Sequence, residues 1–239
     1  MKILKERGEY LAERAVRYRN ASVVLFAVLA LLILYFSFSQ NLCLICPVAL
    51  VFIFGYSNIF LHYNYGRNYR RGLEGEELLT KTLSDLSDDY YLINDIRLPG
   101  IYGNIDHILL GPNGIFVIET KNYRGKIRGD GDTWIRHYGV GFNGRDYKFR
   151  SPCRQVKRNA VKTRQLIESS KILKNNVWVE GIVVFTNQDV ELQLANPATP
   201  VLKINELCDY IKNKKSNVRF SPRELNSIGK VIMKQAYKK

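Results

Sequence analysis

Acidic residues are scarce in this chain of 239 residues. There are 22 Asp and Glu against 36 Lys and Arg, which gives a net charge of +14. The imbalance is concentrated, because residues 121–164 contain 13 Lys and Arg but only three acids. A charge of this size favours an anionic partner, either a nucleic acid or an acidic membrane surface.

Cysteine is also rare, with four residues at positions 43, 46, 153 and 208. This number and placement exclude a disulfide-stapled scaffold and fit a reducing compartment. Cys43 and Cys46 have C-x-x-C spacing, but no His and no second pair lies near them in the sequence. Small apolar residues of a membrane helix are therefore a better interpretation than a zinc or redox site. Repeats and low-complexity segments are absent.

Charged residues are missing from two apolar runs, residues 21–38 and 42–61, with only a short polar turn between them. Each run is close to the ~20 residues that a bilayer-spanning helix needs. The pattern predicts a transmembrane helical hairpin over residues 21–61. A cleaved signal peptide is disfavoured because no small-residue cleavage site is evident. A buried helical hairpin of a soluble protein remains the alternative.

The flanking charges predict how this hairpin is oriented. Basic residues precede the first run, Arg67, Arg70 and Arg71 follow the second, and the turn carries no charge. Basic flanks stay on the cytoplasmic side. We therefore expect a cytoplasmic segment over 1–20, a basic juxtamembrane linker over 62–71 and a cytoplasmic domain over 72–239. The protein is expected to be an integral membrane protein with both termini in the cytoplasm.

The segment with the clearest chemical content is residues 104–122. Two apolar runs flank Gly-Pro-Asn-Gly, which is typical of the turn of a β-hairpin. A two-residue turn at Pro112 and Asn113 places Asp106 opposite Glu119, whereas a three-residue turn shifts the pairing by one place. Lys121 lies two residues beyond Glu119 and therefore on the same face of its strand.

Two acids and a lysine at the open end of a hairpin predict a metal site. Close carboxylates repel each other unless a proton or a cation lies between them. A hard cation, Mg²⁺ or Mn²⁺, suits Asp106, Glu119 and the Thr120 carbonyl as ligands. Lys121 would then position or help to deprotonate a water molecule and offset charge on a phosphate. The alternative is a surface hairpin that ends in a solvated Glu–Lys pair.

These residues resemble a known family. Asp106 followed by Glu119-Thr120-Lys121 is similar to the D…(D/E)-x-K motif of the restriction-endonuclease-like nucleases, and most closely to their nuclease-related domain (NERD) branch. Ile105 stands where the wider superfamily has proline, which this branch tolerates. The other matching motifs, in the order of the chain, are Gly72-Leu73-Glu74-Gly75-Glu76, Ile105-Asp106-His107, residues 117–122, Trp134, and Pro152 with Gln155.

The resemblance implies a fold and two further site residues. The fold is a restriction-endonuclease-like α/β domain with a mixed central sheet flanked by helices, which the predicted order α-β-β-β-α-β-α also fits. Glu76 is implied to lie near the metal, although an acid in a first helical turn has a purely structural explanation too. Gln155, on the helix after the hairpin, is implied to point into the site. His107 faces away from Asp106 and is expected to be packed or hydrogen-bonded.

A basic helix is predicted from Pro152 onwards, beyond several short strands. Its positive face suits contacts to phosphate groups, which give affinity without sequence specificity. Residues 139–144 match G-x-G-x-x-G, but no strand and helix frame them, so we interpret them as a glycine-rich loop. The residues predicted to contact nucleic acid are Arg124, Lys126, Arg154, Lys157, Arg158 and Lys162.

The favoured function is a membrane-anchored, Mg²⁺-dependent nuclease that acts on DNA at the cytoplasmic face, with Asp106, Glu119, Lys121, Gln155 and Glu76 as its catalytic residues. A non-catalytic module that tethers nucleic acid to the membrane is the first alternative. A membrane scaffold whose basic surface serves anionic lipid is the second.

Overall fold

The computed structural model describes most of the chain outside its N-terminal quarter. The described residues are 1–5, 20, 21, 23–28, 30–32, 34, 35, 53, 67–101, 103–138, 144–173 and 177–236. Among them, no helix combines the length and the apolar character needed to cross a bilayer. Much of the predicted hairpin over residues 21–61, Cys43 and Cys46 included, lies outside the described residues, as does most of the predicted glycine-rich loop.

The chain divides into two compact units. One consists of Met1–Arg7 together with Glu74–Lys239, and the other of Gly8–Leu73. In the second unit, the described residues between 20 and 35 are helical and exposed. Every strand found in the described residues lies in the first unit.

A mixed six-stranded sheet forms the centre of the first unit, as predicted. Its strands follow the order β1-β2-β3-β4-β8-β10. The β2–β3 and β3–β4 pairs are antiparallel, and the other three pairs are parallel. The strand bounds are Lys2–Lys5 (β1), Tyr91–Ile96 (β2), Ile105–Gly111 (β3), Gly114–Lys121 (β4), Val179–Phe185 (β8) and Val201–Lys203 (β10).

A second, four-stranded sheet has the order β7-β6-β5-β9. The sequence predicts the β5–β6 pair and its Gly/Asp turn, and the structure confirms both. It does not predict β7 and β9, because β7 is polar and the residues of β9 pair with residues 65 positions earlier in the chain. The bounds are Gly125–Asp130 (β5), Thr133–Tyr138 (β6), Arg145–Phe149 (β7) and Val190–Ala195 (β9).

The helices begin where the sequence supplies caps. Ser151 accepts a hydrogen bond from the Arg154 amide at the start of α2, and Ser221 forms a capping box with Glu224 at the start of α4. A single turn of 3₁₀-helix, Ile204–Glu206, leads into α3. The helical segments are residues 67–83 (α1), Pro152–Ser169 (α2), Leu207–Lys212 (α3) and Pro222–Gln235 (α4).

The six-stranded sheet buries both of its faces, so its strands are almost continuously apolar. Leu79 and Leu83 of α1 and Leu207 of α3 pack on one face. Val156 of α2, Ile228 of α4 and the second sheet pack on the other face. Alternation along β3 and β4 places Asp106 and Glu119 on the α2 side.

Strand β1 is not indicated by the sequence. Residues 2–5 pair in parallel with β2 and complete the edge of the sheet. Leu4 packs against α4 at Gly229, where an added Cβ atom would lie only 2.5 Å from Leu4 Cδ1. The N-terminal residues therefore belong to the same folded unit as β2, although the second unit, Gly8–Leu73, lies between them in the chain.

Trp134 connects the two sheets. Its side chain is 1 % exposed, it stacks on Phe185 at a centroid distance of 6.4 Å, and its Nε1 donates to the Gly131 carbonyl at 3.1 Å. Replacing this residue with alanine removes a large buried ring and leaves a cavity. We expect Trp134→Ala to lower the free energy of unfolding by about 3–5 kcal/mol, measured by urea denaturation.

The chain supplies a matched control in its only other tryptophan. Trp178 is 71 % exposed, so Trp178→Ala is expected to change stability by less than about 0.5 kcal/mol. Equal effects of the two substitutions would contradict the central role of Trp134.

Candidate active site

The β3–β4 hairpin has the predicted register. Gly111 pairs with Gly114 and His107 with Ile118, so the turn contains two residues, Pro112 and Asn113. The turn is held on two sides, because Asn113 accepts a hydrogen bond from the Tyr90 hydroxyl (3.0 Å) and donates to the Ile211 carbonyl (2.6 Å). This closed end sets the register, and the register places Asp106 level with Glu119 at the open end.

Asp106 is fixed by a backbone contact across the hairpin. Its Oδ2 accepts a hydrogen bond from the Thr120 amide at 2.8 Å. The N–H and C=O groups of one residue in an extended strand point to the same edge. The Thr120 carbonyl therefore faces the β3 edge, on the side of Asp106, as the proposed ligand set requires.

Glu119 is held through both of its oxygens. Lys121 Nζ lies 2.5 Å from Oε1, and Gln155 Nε2 donates to Oε2 at 2.7 Å. The Glu119 side chain is only 2 % exposed. The structure therefore brings the predicted Gln155 of α2 to the same carboxylate as Lys121 of β4.

Burial of the two acids changes their protonation. It raises the pKa of Asp106 and, together with the neighbouring Asp106 charge, raises the pKa of Glu119 to about 8. Burial alone lowers the pKa of Lys121, but the adjacent Glu119 and Asp106 carboxylates outweigh that effect and raise it. Lys121 therefore remains an ammonium group at neutral pH.

Glu76 lies on α1, the helix that packs on the opposite face of the sheet from α2. Its negative charge contributes to the raised pKa of Glu119, after burial and the charge of Asp106. The glycine before it allows α1 to approach closely, because a Cβ atom on Gly75 would lie 2.8 Å from both Asn122 Cβ and Thr186 Oγ1. A larger residue at this position would push Glu76 and the first turns of the helix away from β4.

Two buried residues near the site escaped the sequence analysis. Asn94 Oδ1 lies 2.8 Å from His107 Nδ1, so His107 is hydrogen-bonded, as expected. Asp95 is 5 % exposed and has a positive φ of 48°. Asp95 lies opposite Asp106 in the β2–β3 pairing, so a prediction of that pairing would have identified it as a residue near the site.

The predicted nucleic-acid contacts fall into two groups. Arg124, Lys126 and Arg154 make exposed ion pairs of 3.5–3.7 Å with Asp189, Glu191 and Asp132, in that order. In contrast, Lys157, Arg158 and Lys162 of α2 form no ion pair with any described residue. Solvent-exposed ion pairs contribute little to stability, so the side chains of the first group can leave their acidic partners at little cost. The α2 group has no such ion pair with a described residue, and it is therefore the positive charge beside Gln155 that is most available to an anionic ligand.

The donor groups present fit a hard divalent cation. Two carboxylates and a carbonyl are the oxygen ligands that Mg²⁺ prefers, with water completing its shell. Burial raises the pKa of both acids, so a bound cation would offset part of the solvation that their carboxylates lose. In the described parts of the chain, no group of three or more His, Cys, Asp or Glu side chains is arranged to hold a metal. Asp106, Glu119 and the Thr120 carbonyl are the groups that would hold such a cation.

The protonation of Glu119 makes stability depend on pH when metal is absent. Between its usual pKa of 4.5 and its folded value of about 8, the folded chain holds a proton that the unfolded chain has lost. Stability therefore falls as the pH rises through this window. We expect urea denaturation in EDTA to show this decline in the wild type and a flatter profile in Glu119→Gln.

Glu191→Gln is the matched control, because Glu191 is an exposed acid on β9. Its pH profile is expected to follow that of the wild type. A wild-type profile that rises between pH 5 and pH 8, or one that Glu119→Gln leaves unchanged, would contradict the buried proton.

Comparisons with known proteins agree with this geometry. The family model of the nuclease-related domain matches residues 71–186, almost half of the chain, from α1 to the end of β8. An uncharacterised protein of Bacillus anthracis is 41 % identical over 63 residues, which are 25 % of this chain and 30 % of that protein. The probable kinase PglW of Streptomyces coelicolor is 26 % identical over 126 residues, 52 % of this chain and 8 % of the relative.

The chain thus spans less than a third of the length of either relative. No solved structure matches it. The matched range nevertheless contains Glu76, Asp106, Glu119, Lys121 and Gln155. Residues 71–186 of this chain are a nuclease-related domain and belong, with that family, to the restriction-endonuclease-like superfamily.

Proposed function

We propose that this protein is a metal-dependent nuclease that hydrolyses phosphodiester bonds of DNA. The observation that carries the proposal is the convergence of Asp106, Glu119, Lys121 and Gln155 at the open end of one hairpin. The nuclease-related family match over the same residues supports it. A fold retained only for binding would not need a buried pair of acids with an adjacent ammonium group, because buried charge is costly.

Each side chain has a distinct part in the proposed chemistry. A bound Mg²⁺ or Mn²⁺ would stabilise negative charge on the scissile phosphate and increase the acidity of water. Asp106 and Glu119 hold the cation, and Gln155 keeps Glu119 in one orientation. Lys121 is protonated and therefore acts as a positive donor toward phosphate oxygens rather than as a base. Glu76 adds negative charge at the edge of the pocket.

The substrate is proposed to lie along α2. Arg154, Lys157 and Arg158 flank Gln155 on this helix and are exposed. Their charges can contact phosphates on both sides of the scissile bond without contacting base edges, which predicts affinity with little sequence preference.

We also propose that residues 21–61 anchor the protein in a membrane, with the nuclease domain in the cytoplasm. The sequence supports this through its two uncharged runs. The structure supports it through Val23, Leu31 and Tyr35, helical residues that are each more than 60 % exposed. Because β1 and β2 lie in one sheet, a chain that crosses the bilayer between them must cross it an even number of times.

The catalytic proposal predicts Mg²⁺-dependent cleavage by the purified full chain, assayed on linear, circular, branched and single-stranded DNA. Asp106→Asn and Glu119→Gln remove a cation ligand and are expected to reduce cleavage to background. Gln155→Ala, which only releases Glu119, is expected to reduce it about 10–100-fold.

Glu191→Gln again serves as the control and should cleave at the wild-type rate. Undiminished cleavage by a folded Glu119→Gln variant would refute the assignment. DNA binding without cleavage, indifferent to Mg²⁺ and to Glu119, would favour a non-catalytic binding module.

The substrate path makes a second prediction. In a Glu119→Gln background that does not cleave, replacing both Lys157 and Arg158 with alanine should weaken DNA binding. The slope of log K against log[salt] should fall by about 2, because two phosphate contacts are lost. Fluorescence anisotropy over a salt series measures this slope.

Arg223 and Lys230 of α4 provide a matched pair of exposed basic residues for comparison. Their double alanine variant changes the net charge equally and is expected to keep the wild-type slope. Equal slopes for the two double variants would show that α2 is not the substrate path.

A further inference from the structure

Asp95 adopts a backbone conformation that needs an explanation. It lies in β2, buried to 5 % exposure, with a φ of 48°. Such left-handed conformations are uncommon for residues other than glycine, and they persist only where the surrounding structure holds them. Asp95 falls between Asn94, which pairs with His107, and Ile96, which pairs with Ile105. The residue opposite this irregularity is therefore Asp106.

Asp95 is held by contacts from two parts of the chain, the residue just before β3 and the N-terminal strand β1. Asn104 Nδ2 donates to Asp95 Oδ1 at 2.6 Å, just before β3 begins. Lys5 Nζ, from β1, donates to the Asn94 carbonyl at 3.0 Å and also to the Asp95 carbonyl. An ammonium group that binds two successive carbonyls restrains the backbone between them, since hydrogen bonds from charged donors are the stronger kind.

The same arrangement reaches the candidate metal ligand. Asn104 is two residues before Asp106, so its contact with Asp95 fixes the start of β3. Asp95 also lies directly opposite Asp106 in the β2–β3 register. A continuous path therefore runs from Lys5 through Asp95 and Asn104 to Asp106.

We propose that Lys5 and Asp95 are positioning residues of the nuclease site: the N-terminal strand, through the Lys5 ammonium group, holds the left-handed backbone of Asp95, and Asp95 holds the start of β3 where Asp106 must meet the cation. The inference rests on the proposed function for its metal site. It adds that the site is incomplete without β1, a strand far outside the range of the family match.

The test uses the full chain and measures Mn²⁺ binding by electron paramagnetic resonance, without nucleic acid. Lys5→Met keeps the apolar stem and removes the ammonium group, and it is expected to weaken Mn²⁺ binding about 10-fold, as loss of a supporting contact typically does. Lys5→Arg should restore most of the affinity. Lys2→Met is the matched control in the same strand, because the Lys2 ammonium group lies over the Tyr91 ring, 5.8 Å from its centroid.

Substitutions at Asp95 test the same path from its other end. Asp95→Ala disfavours the left-handed backbone and removes the acceptor for Asn104, so it should weaken Mn²⁺ binding about as much as Lys5→Met. Asp95→Asn keeps both features and should be milder. Because the two residues act through one path, the Lys5→Met/Asp95→Ala double variant should bind Mn²⁺ no more weakly than the worse single variant.

Hydrogen exchange provides a readout that requires no metal. Amides of residues 103–107 should exchange faster in Lys5→Met than in Lys2→Met at equal global stability. Wild-type affinity and exchange in both Lys5→Met and Asp95→Ala would overturn the inference. Wild-type protein that binds Mn²⁺ but cleaves no DNA would refute the proposed function and leave this inference standing. If the wild type binds no Mn²⁺, hydrogen exchange alone decides the positioning role.

Discussion

Two carboxylates buried side by side are the constraint around which this domain is built. Asp106 and Glu119 lose solvation and repel each other, so the fold has to supply compensation from the Thr120 amide, the Lys121 ammonium group and the Gln155 amide. Each compensating group is carried by a strand or helix, and that strand or helix must be placed accurately. The β3–β4 hairpin provides the first two, and α2 provides the third.

The hairpin separates the tasks of register and chemistry. Hydrogen bonds to Tyr90 and to the Ile211 carbonyl fix the turn at the closed end of the hairpin. The acids and the lysine of the candidate site lie at the open end. A slip of one residue in the strand pairing would turn one acid to the opposite face of the sheet. The apolar side chains between the two ends therefore do more than fill the core, because they hold the acids on one side.

Local patterns in the sequence predict most of the site but only part of the sheet. The Pro112–Asn113 turn, the D…ExK spacing and the helical pattern that begins at Pro152 are contained in short stretches, so the sequence shows them directly. The Lys2–Lys5 strand, β7 and β9 are different. They are short or polar edge strands whose partners lie far away in the chain, and no local periodicity marks them. Asp95 was missed for a related reason, since only the pairing of β2 with β3 reveals that it faces Asp106.

The position of β1 also means that the central sheet cannot be completed until β2 has been synthesised. Residues 2–5 occupy one edge of the central sheet, yet their partner Tyr91–Ile96 follows more than 80 residues later in the chain. At roughly 10 residues per second, these residues wait several seconds before β2 exists to receive them. During that interval the entire apolar stretch of residues 21–61 emerges. That stretch is therefore synthesised before the nuclease-related domain can complete its sheet.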